Sequence, residues 1–127
     1  MSVPFDPKIM ARRSDADLSS SAWKMVIAVG DNDTDVAGAN GNVIGILTDD
    51  VKDGSSTAAF NSVQIGGIGK VLCGGAITAG VSFKADASGD AVSATADNDI
   101  CMGYMLETAA DGDLAACIIA RHVINVA

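Results

Sequence analysis

The chain has 127 residues, of which 49% are hydrophobic and 19% charged, a balance typical of one globular domain rather than a disordered chain. Its net charge of −8 disfavours binding to a nucleic-acid backbone, and its five aromatic residues (three Phe, one Trp, one Tyr) are too few for a base-stacking platform. The N-terminal residues lack the apolar stretch of a secretory signal, and no apolar run reaches the length of a bilayer span. We therefore expect a protein that is made and folded in a cytoplasm and binds neither nucleic acid nor membrane.

Residues 1–22 differ from the rest of the chain. They are polar, contain both prolines and show neither a helical nor a strand period. This pattern predicts an extended N-terminal arm carrying isolated apolar anchors, followed by a folded core over residues 23–127. Arms of this kind become ordered only when they dock on a surface.

The core begins with WKMVIAV (23–29), where alternation predicts a half-buried strand with Trp23, Met25, Ile27 and Val29 on one face. The next apolar segment, NVIGIL (42–47), is apolar on both faces, which predicts a strand covered on both sides. Further strands are predicted at 58–65, 68–73, 81–85, 90–95, 100–106, 114–120 and 122–126, with one helical turn near 105–111.

The central stretch, residues 41–92, repeats a short apolar run and a turn rich in Gly, Asp and Ser at roughly ten-residue intervals. Within it VSFKA (81–85) alternates cleanly, with Val81, Phe83 and Ala85 inward. About eight short antiparallel strands without a long helix define the predicted fold class, an all-β small barrel or sandwich with an extended N-terminal arm.

Two segments have partial ligand-binding motifs. Residues 31–35, DNDTD, open like a calcium loop, but Val36 and Asn42 occupy the positions that need Gly and Glu, so an acidic turn is favoured. Residues 66–71, GGIGKV, look like part of a phosphate-binding loop. Gln64 and Val71 replace two of its fixed residues, which favours a glycine-rich turn or bulge between two strands.

The reactive side chains are few. Cys73, Cys101 and Cys117 lie in apolar runs without metal-ligand spacing, which predicts small buried hydrophobic residues. His122, the single histidine, has no neighbouring partner in the sequence; a Ser-His-Asp site built in space stays open, but a structural or surface histidine is favoured. We predict no enzymatic activity, no metal and no cofactor.

An alternative is a lipoyl- or biotinyl-type carrier domain, because Trp23-Lys24-Met25 is similar to the modified-lysine setting of those small all-β modules. In such domains the lysine occupies a hairpin tip, whereas Lys24 lies within an alternating strand and precedes the glycine-rich motif around Gly80.

The order of four blocks resembles the capsid cement, or head decoration, proteins of tailed bacteriophages. They are the DLSS segment at 17–20, the GIL turn at 45–47, AITAGVSFKADASGDAV at 76–92, and Gly112-Asp113 before the last apolar strand. The blocks span most of the chain. Residues 121–127 and the DNDTD loop have no counterpart in the family pattern, so their roles stay open.

The resemblance implies a non-enzymatic structural protein of the virion. Such proteins bind the outer surface of the assembled head as trimers and clamp neighbouring major capsid protein subunits against the pressure of packaged DNA. The apolar and basic residues of the arm are the predicted capsid contacts: Phe5, Ile9, Met10, Arg12, Arg13 and Leu18. We expect a chain lacking residues 2–16 to fold as an oligomer that no longer decorates capsids.

Overall fold

The computed structural model describes residues 5–14, 18, 20–30, 33–48 and 60–125. These residues form nine strands and no helix, and none of the described elements is a helix that could cross a membrane. The strands are β1 (Phe5–Ser14), β2 (Met25–Val29), β3 (Asp33–Val36), β4 (Val43–Leu47), β5 (Phe60–Leu72), β6 (Ser82–Ala85), β7 (Ala91–Ser93), β8 (Ile100–Met105) and β9 (Leu114–Val123). The predicted all-β class is confirmed.

The strands close into two rings that share β5. The first is a five-stranded barrel in the order β1-β3-β2-β4-β5, closed because β1 pairs with β3 on one side and β5 on the other. The second runs β5-β9-β8-β6-β7, and a parallel bridge between Cys73 and Ala91 brings β7 back beside the end of β5. Closure gives every barrel strand a partner on both sides, although β1 reaches β3 only through Arg13 and Ser14.

Strand β2 separates two hydrophobic cores. Val26 belongs to the core inside the barrel, with Leu18, Leu47 and Val63. Met25 belongs to the larger core beneath the second ring, with members that include Ile46, Ile77, Phe83, Met102 and Met105. Met25 and Val26 are both fully buried because the two faces of the strand meet two cores at this point, whereas Ile27, Ala28 and Val29 keep the predicted alternation, with Ala28 exposed.

Two pairs of predicted strands are each one continuous strand. The first pair, 58–65 and 68–73, forms β5, with residues 58 and 59 outside the described residues. The second pair, 114–120 and 122–126, forms β9, which ends at Val123. The helical turn near 105–111 is absent: Ala109 instead forms a bridge with Ile77, and Gly112 turns the chain with φ of 87°. Strand pairing across the second core prevailed over the weak local helical pattern.

The glycine-rich segment of strand β5 forms a bulge rather than a turn. The β1–β5 register shifts around Gln64 and Gly66, and Gly67 takes a φ of 82° that side chains disfavour. The buried Gln64 amide donates to the carbonyls of Gly66 (2.9 Å) and Ile68 (3.2 Å) and thereby stabilises the bulge. Of the predicted turn or bulge between two strands, the bulge is found, and it lies within one continuous strand.

The N-terminal segment is extended and forms part of the barrel. Arg13 and Ser14 of β1 pair in parallel with Asp33 and Thr34 of β3, and residues 5–13 pair with β5. The proposed division between an arm (1–22) and a folded core (23–127) stays a prediction. The described residues of the two parts lie in one sheet, and Met10 and Leu18 of the arm contact the hydrophobic core inside the barrel.

Candidate binding surfaces

The acidic segment 31–35 is partly described. Asp33 and Asp35 lie in β3, whereas residues 31 and 32 lie outside the described residues. Asp33 accepts from Arg13 Nε at 2.9 Å, and Asp35 accepts from the Val36 amide at 2.8 Å. The described residues contain no group of three or more potential metal ligands, and Asp33 is an ion-pair partner of β1.

Lys70 and Lys24, the lysines of the phosphate-loop and carrier motifs, both contact other residues of the protein. Lys70 follows the β5 bulge and leads into more strand, not into the helix that a phosphate loop requires. Lys24 donates from Nζ to the Asp90 carboxylate (2.8 Å) and to the Ser88 carbonyl (3.1 Å), and its side chain is mostly buried. It does not occupy a hairpin tip, so the structure gives the carrier alternative no support.

The three cysteines are buried and unpaired, as predicted. Burial raises the pKa of Cys73 to about 11 and that of Cys117 to about 12, and it also raises the pKa of Cys101. Because the thiolate is the reactive form, these thiols are poor nucleophiles and poor metal ligands.

We expect the native protein to react with Ellman's reagent at pH 8 at less than about one hundredth of the rate of a free thiol, because the reagent needs an accessible thiolate. The measurement is the absorbance of released thionitrobenzoate, with the chain in denaturant as control, where all three thiols react. Rapid labelling of one native cysteine would contradict this result.

His122 contacts a serine that lies far away in the sequence. Its Nε2 is 3.0 Å from Ser82 Oγ and its Nδ1 is 2.7 Å from the Ala120 carbonyl, so Nδ1–H donates to that carbonyl and Nε2 accepts from the hydroxyl. The ring stacks on Tyr104 with a centroid distance of 4.8 Å.

The Ser82–His122 spacing is that of a nucleophile and its base. However, a backbone carbonyl orients the ring, not a carboxylate, and no pocket occurs in the part of the chain that the structure describes. The interaction ties β6 to β9 across β8, the structural role that the sequence favoured for this histidine.

The predicted capsid-contact residues divide into buried and exposed groups. Leu18 is 1% exposed in the barrel core, and Met10 packs against that core. Arg12 donates to Thr34 Oγ1 (2.9 Å) and the Asp33 carbonyl (2.8 Å), and Arg13 forms the ion pair with Asp33. These four residues attach β1 to the barrel, while the side chain of Phe5 lies outside the described part.

The remaining member of the set, Ile9, is 48% exposed on β1. Its register partner on β5 is Gln64, and the next residue, Ile65, is 43% exposed. Each of the two isoleucines is thus an exposed apolar side chain on a barrel strand. The sequence analysis missed Ile65 because the bulge at Gln64 breaks the alternation that would have assigned it to a face.

A second apolar surface covers the outer side of the second ring. Register pairs place Ile68, Ile118 and Tyr104 in one row across β5, β9 and β8, since residues paired across a ladder point to the same side. Adjacent rows contain Lys70 with Ala116 and Leu72 with Leu114. We call this surface the β5–β9–β8 face; Ile118 is 37% exposed and Tyr104 40% exposed.

One cation lies on this face beneath an indole ring. Lys70 Nζ is 4.4 Å from the Trp23 ring centroid, and Lys70 as a whole is only 8% exposed. Trp23 adopts a left-handed φ of 69°, and its backbone bonds to both Leu47 and Leu72. This conformation joins the barrel to the second ring and places the indole over β5.

The fold and surfaces define a small all-β protein made of two fused strand rings. The chain matches no protein-family model, and the search of curated protein sequences finds no relative. Among solved structures it is similar to the N base of the head fiber gp8.5 of bacteriophage phi29. The TM-score is 0.67, the identity 20%, and the match covers 94% of this chain and 99% of that one. The resemblance to capsid-associated phage proteins is thus confirmed for the fold.

Proposed function

We propose that this chain is a structural virion protein that binds the outer surface of an assembled phage head. It acts there as a homotrimer and stabilises the shell by clamping neighbouring major capsid protein subunits. The observation that carries the proposal is the fold match with a phage head fiber base over almost the whole of both chains.

Two further features support binding rather than catalysis. The cysteine thiols are buried, with raised pKa values, and the described lysines and aspartates mostly form internal ion pairs or hydrogen bonds. Seven large apolar side chains are exposed in the described part of the chain, and exposed apolar clusters typically mark protein contacts. Several weak contacts per trimer combine through multivalency into stable attachment.

Within the arm, Ile9 is the best-supported capsid contact, together with Ile65 on β5. Both are exposed and apolar, whereas Leu18 is buried, Met10 packs against the barrel core, and Arg12 and Arg13 bond to β3. Met10, Arg12 and Arg13 act indirectly, by holding β1 in the position that presents Ile9.

The test is to mix the purified protein with undecorated, expanded capsids and to image the particles. We expect added density at three-fold positions with the wild-type chain and at least roughly tenfold weaker occupancy with Ile9→Asp, because a carboxylate in an apolar contact must lose its hydration. Ala87→Asp is the matched control: it adds the same charge in an exposed turn between β6 and β7. Capsids without added density would overturn the proposed function, and full occupancy with Ile9→Asp would overturn the contact site.

A further inference from the structure

The β5–β9–β8 face combines apolar side chains with a buried cation, Lys70, which has no anionic partner among the described residues. None of the residues that form its rows is acidic. Two carboxylates lie close to these rows, and both accept from backbone amides: Asp113, which precedes Leu114, accepts from Ala110 at 2.9 Å, and Glu107 accepts from Ala116 at 2.8 Å. Lys70 is therefore the charged residue of the face.

The ammonium of Lys70 is incompletely satisfied. In the part of the chain that the structure describes, no carboxylate lies within ion-pair distance of Nζ and no oxygen accepts from it; its contact is the Trp23 ring. A cation–π contact stabilises the charge but uses none of its three N–H donors in conventional hydrogen bonds. At 8% exposure, water can replace only part of what is missing.

From this geometry we infer that the β5–β9–β8 face is a subunit interface, covered by a second copy of this chain that supplies a carboxylate to Lys70. The inference rests on the proposed homotrimer and identifies the surface through which it assembles. The occupant follows from charge: a copy carries 16 acidic and 8 basic residues, so much of its surface is complementary to an apolar face with one cation.

The same complementarity decides the symmetry of the contact. In a two-fold contact the face would meet itself, and the two Lys70 side chains would approach one another without a carboxylate between them. The face instead fits a different, acidic surface of the neighbouring copy. A head-to-tail contact of this kind is the type of contact from which a closed trimeric ring is built, when the rotation between copies is one third of a turn. Contact through this face uses side chains, because its central strand β9 is already paired with β5 on one side and β8 on the other.

The test compares Ile118→Asp with Ile9→Asp by native mass spectrometry and sedimentation velocity, with far-UV circular dichroism to establish folding. We expect a homo-oligomer for the wild type and for Ile9→Asp. For Ile118→Asp we expect a folded chain whose dissociation constant rises at least about tenfold, because the carboxylate is desolvated at the contact. Lys70→Met, which keeps the aliphatic length and removes the charge, should weaken assembly and reduce its dependence on salt.

A wild-type chain that is monomeric at micromolar concentration would overturn the inference, as would an Ile118→Asp oligomer of unchanged affinity. An Ile118→Asp chain that stays oligomeric but fails to decorate capsids would also overturn it, and would assign the face to the capsid. The proposed function is judged separately, by the density that the wild-type chain adds to capsids.

Discussion

Replacing Gly103 with alanine is expected to lower the free energy of unfolding by about 3 kcal/mol or more, among the largest effects of any single methyl group in the protein. A Cβ at this position would lie 1.9 Å from the carbonyl oxygen of Ile118 and 2.9 Å from the amide nitrogen of Ala120. Both atoms belong to the backbone of β9, which pairs with β8 beside the register shift between Cys101 and Gly103. Relief of the overlap therefore requires separation of the two strands.

The matched control is Gly38→Ala, because a Cβ on Gly38 meets no atom within 4 Å. Urea unfolding followed by circular dichroism should give a stability for Gly38→Ala within roughly 0.5 kcal/mol of the wild type or slightly above it. Equal stabilities for the two alanine variants would show that β8 and β9 are not paired as closely as described.

Sequence patterns identified those parts of the fold in which local alternation and burial agree. In β6, Phe83 and Ala85 are buried while Ser82 and Lys84 are half-buried, as the VSFKA alternation predicts. The predicted cover on both sides of β4 is also found, since Val43 and Ile46 face one core and Leu47 the other. Short-range periodicity is sufficient to predict a strand and its buried face where the strand packs against one or two apolar layers along its whole length.

Strands β1 and β3 could not be predicted in this way. Residues 5–14 and 33–36 are ordered by long-range pairing and by polar contacts between Arg12, Arg13, Asp33 and Thr34, which leave no hydrophobic period. Thr34 is fully buried although its neighbours are aspartates. The closure of the barrel thus depends on contacts between residues about twenty positions apart.

The candidate surfaces were predictable only in part. The capsid contacts stay a prediction, but the set predicted from the sequence mixes the exposed Ile9 with Met10 and Leu18 of the barrel core, since an arm without periodicity gives no face assignment. The β5–β9–β8 face depends on the register between Ile68, Ile118 and Tyr104, which no single segment contains. The contact of Lys70 with Trp23 depends on a left-handed residue that the sequence does not signal.

Removal of residues 2–16 is expected to destabilise the barrel. The sequence alone predicted instead that this truncated chain would fold as an oligomer that no longer decorates capsids. Without β1, the barrel loses the strand that pairs with both β3 and β5, and it exposes the core beneath Met10. Thr34, now fully buried, would lose the Arg12 guanidinium that bonds it. Loss of a core side chain and of charged hydrogen bonds together corresponds to about 4 kcal/mol or more.

For a domain of this size the melting temperature should fall by roughly 10–15 °C, measured by circular dichroism. Removal of residues 2–4 is the control, since it keeps β1 intact, and its melting temperature should match that of the full chain.

The exposed edges of β3 and β5 should also make the longer truncation prone to association through strand pairing, visible as aggregates in size-exclusion chromatography. A truncated chain that melts within a few degrees of the wild type would show that β1 is a detachable arm rather than a barrel strand. Failure of this truncation to decorate capsids is therefore uninformative about contacts unless the chain is folded, whereas Ile9→Asp changes one exposed apolar side chain and keeps every strand of the barrel.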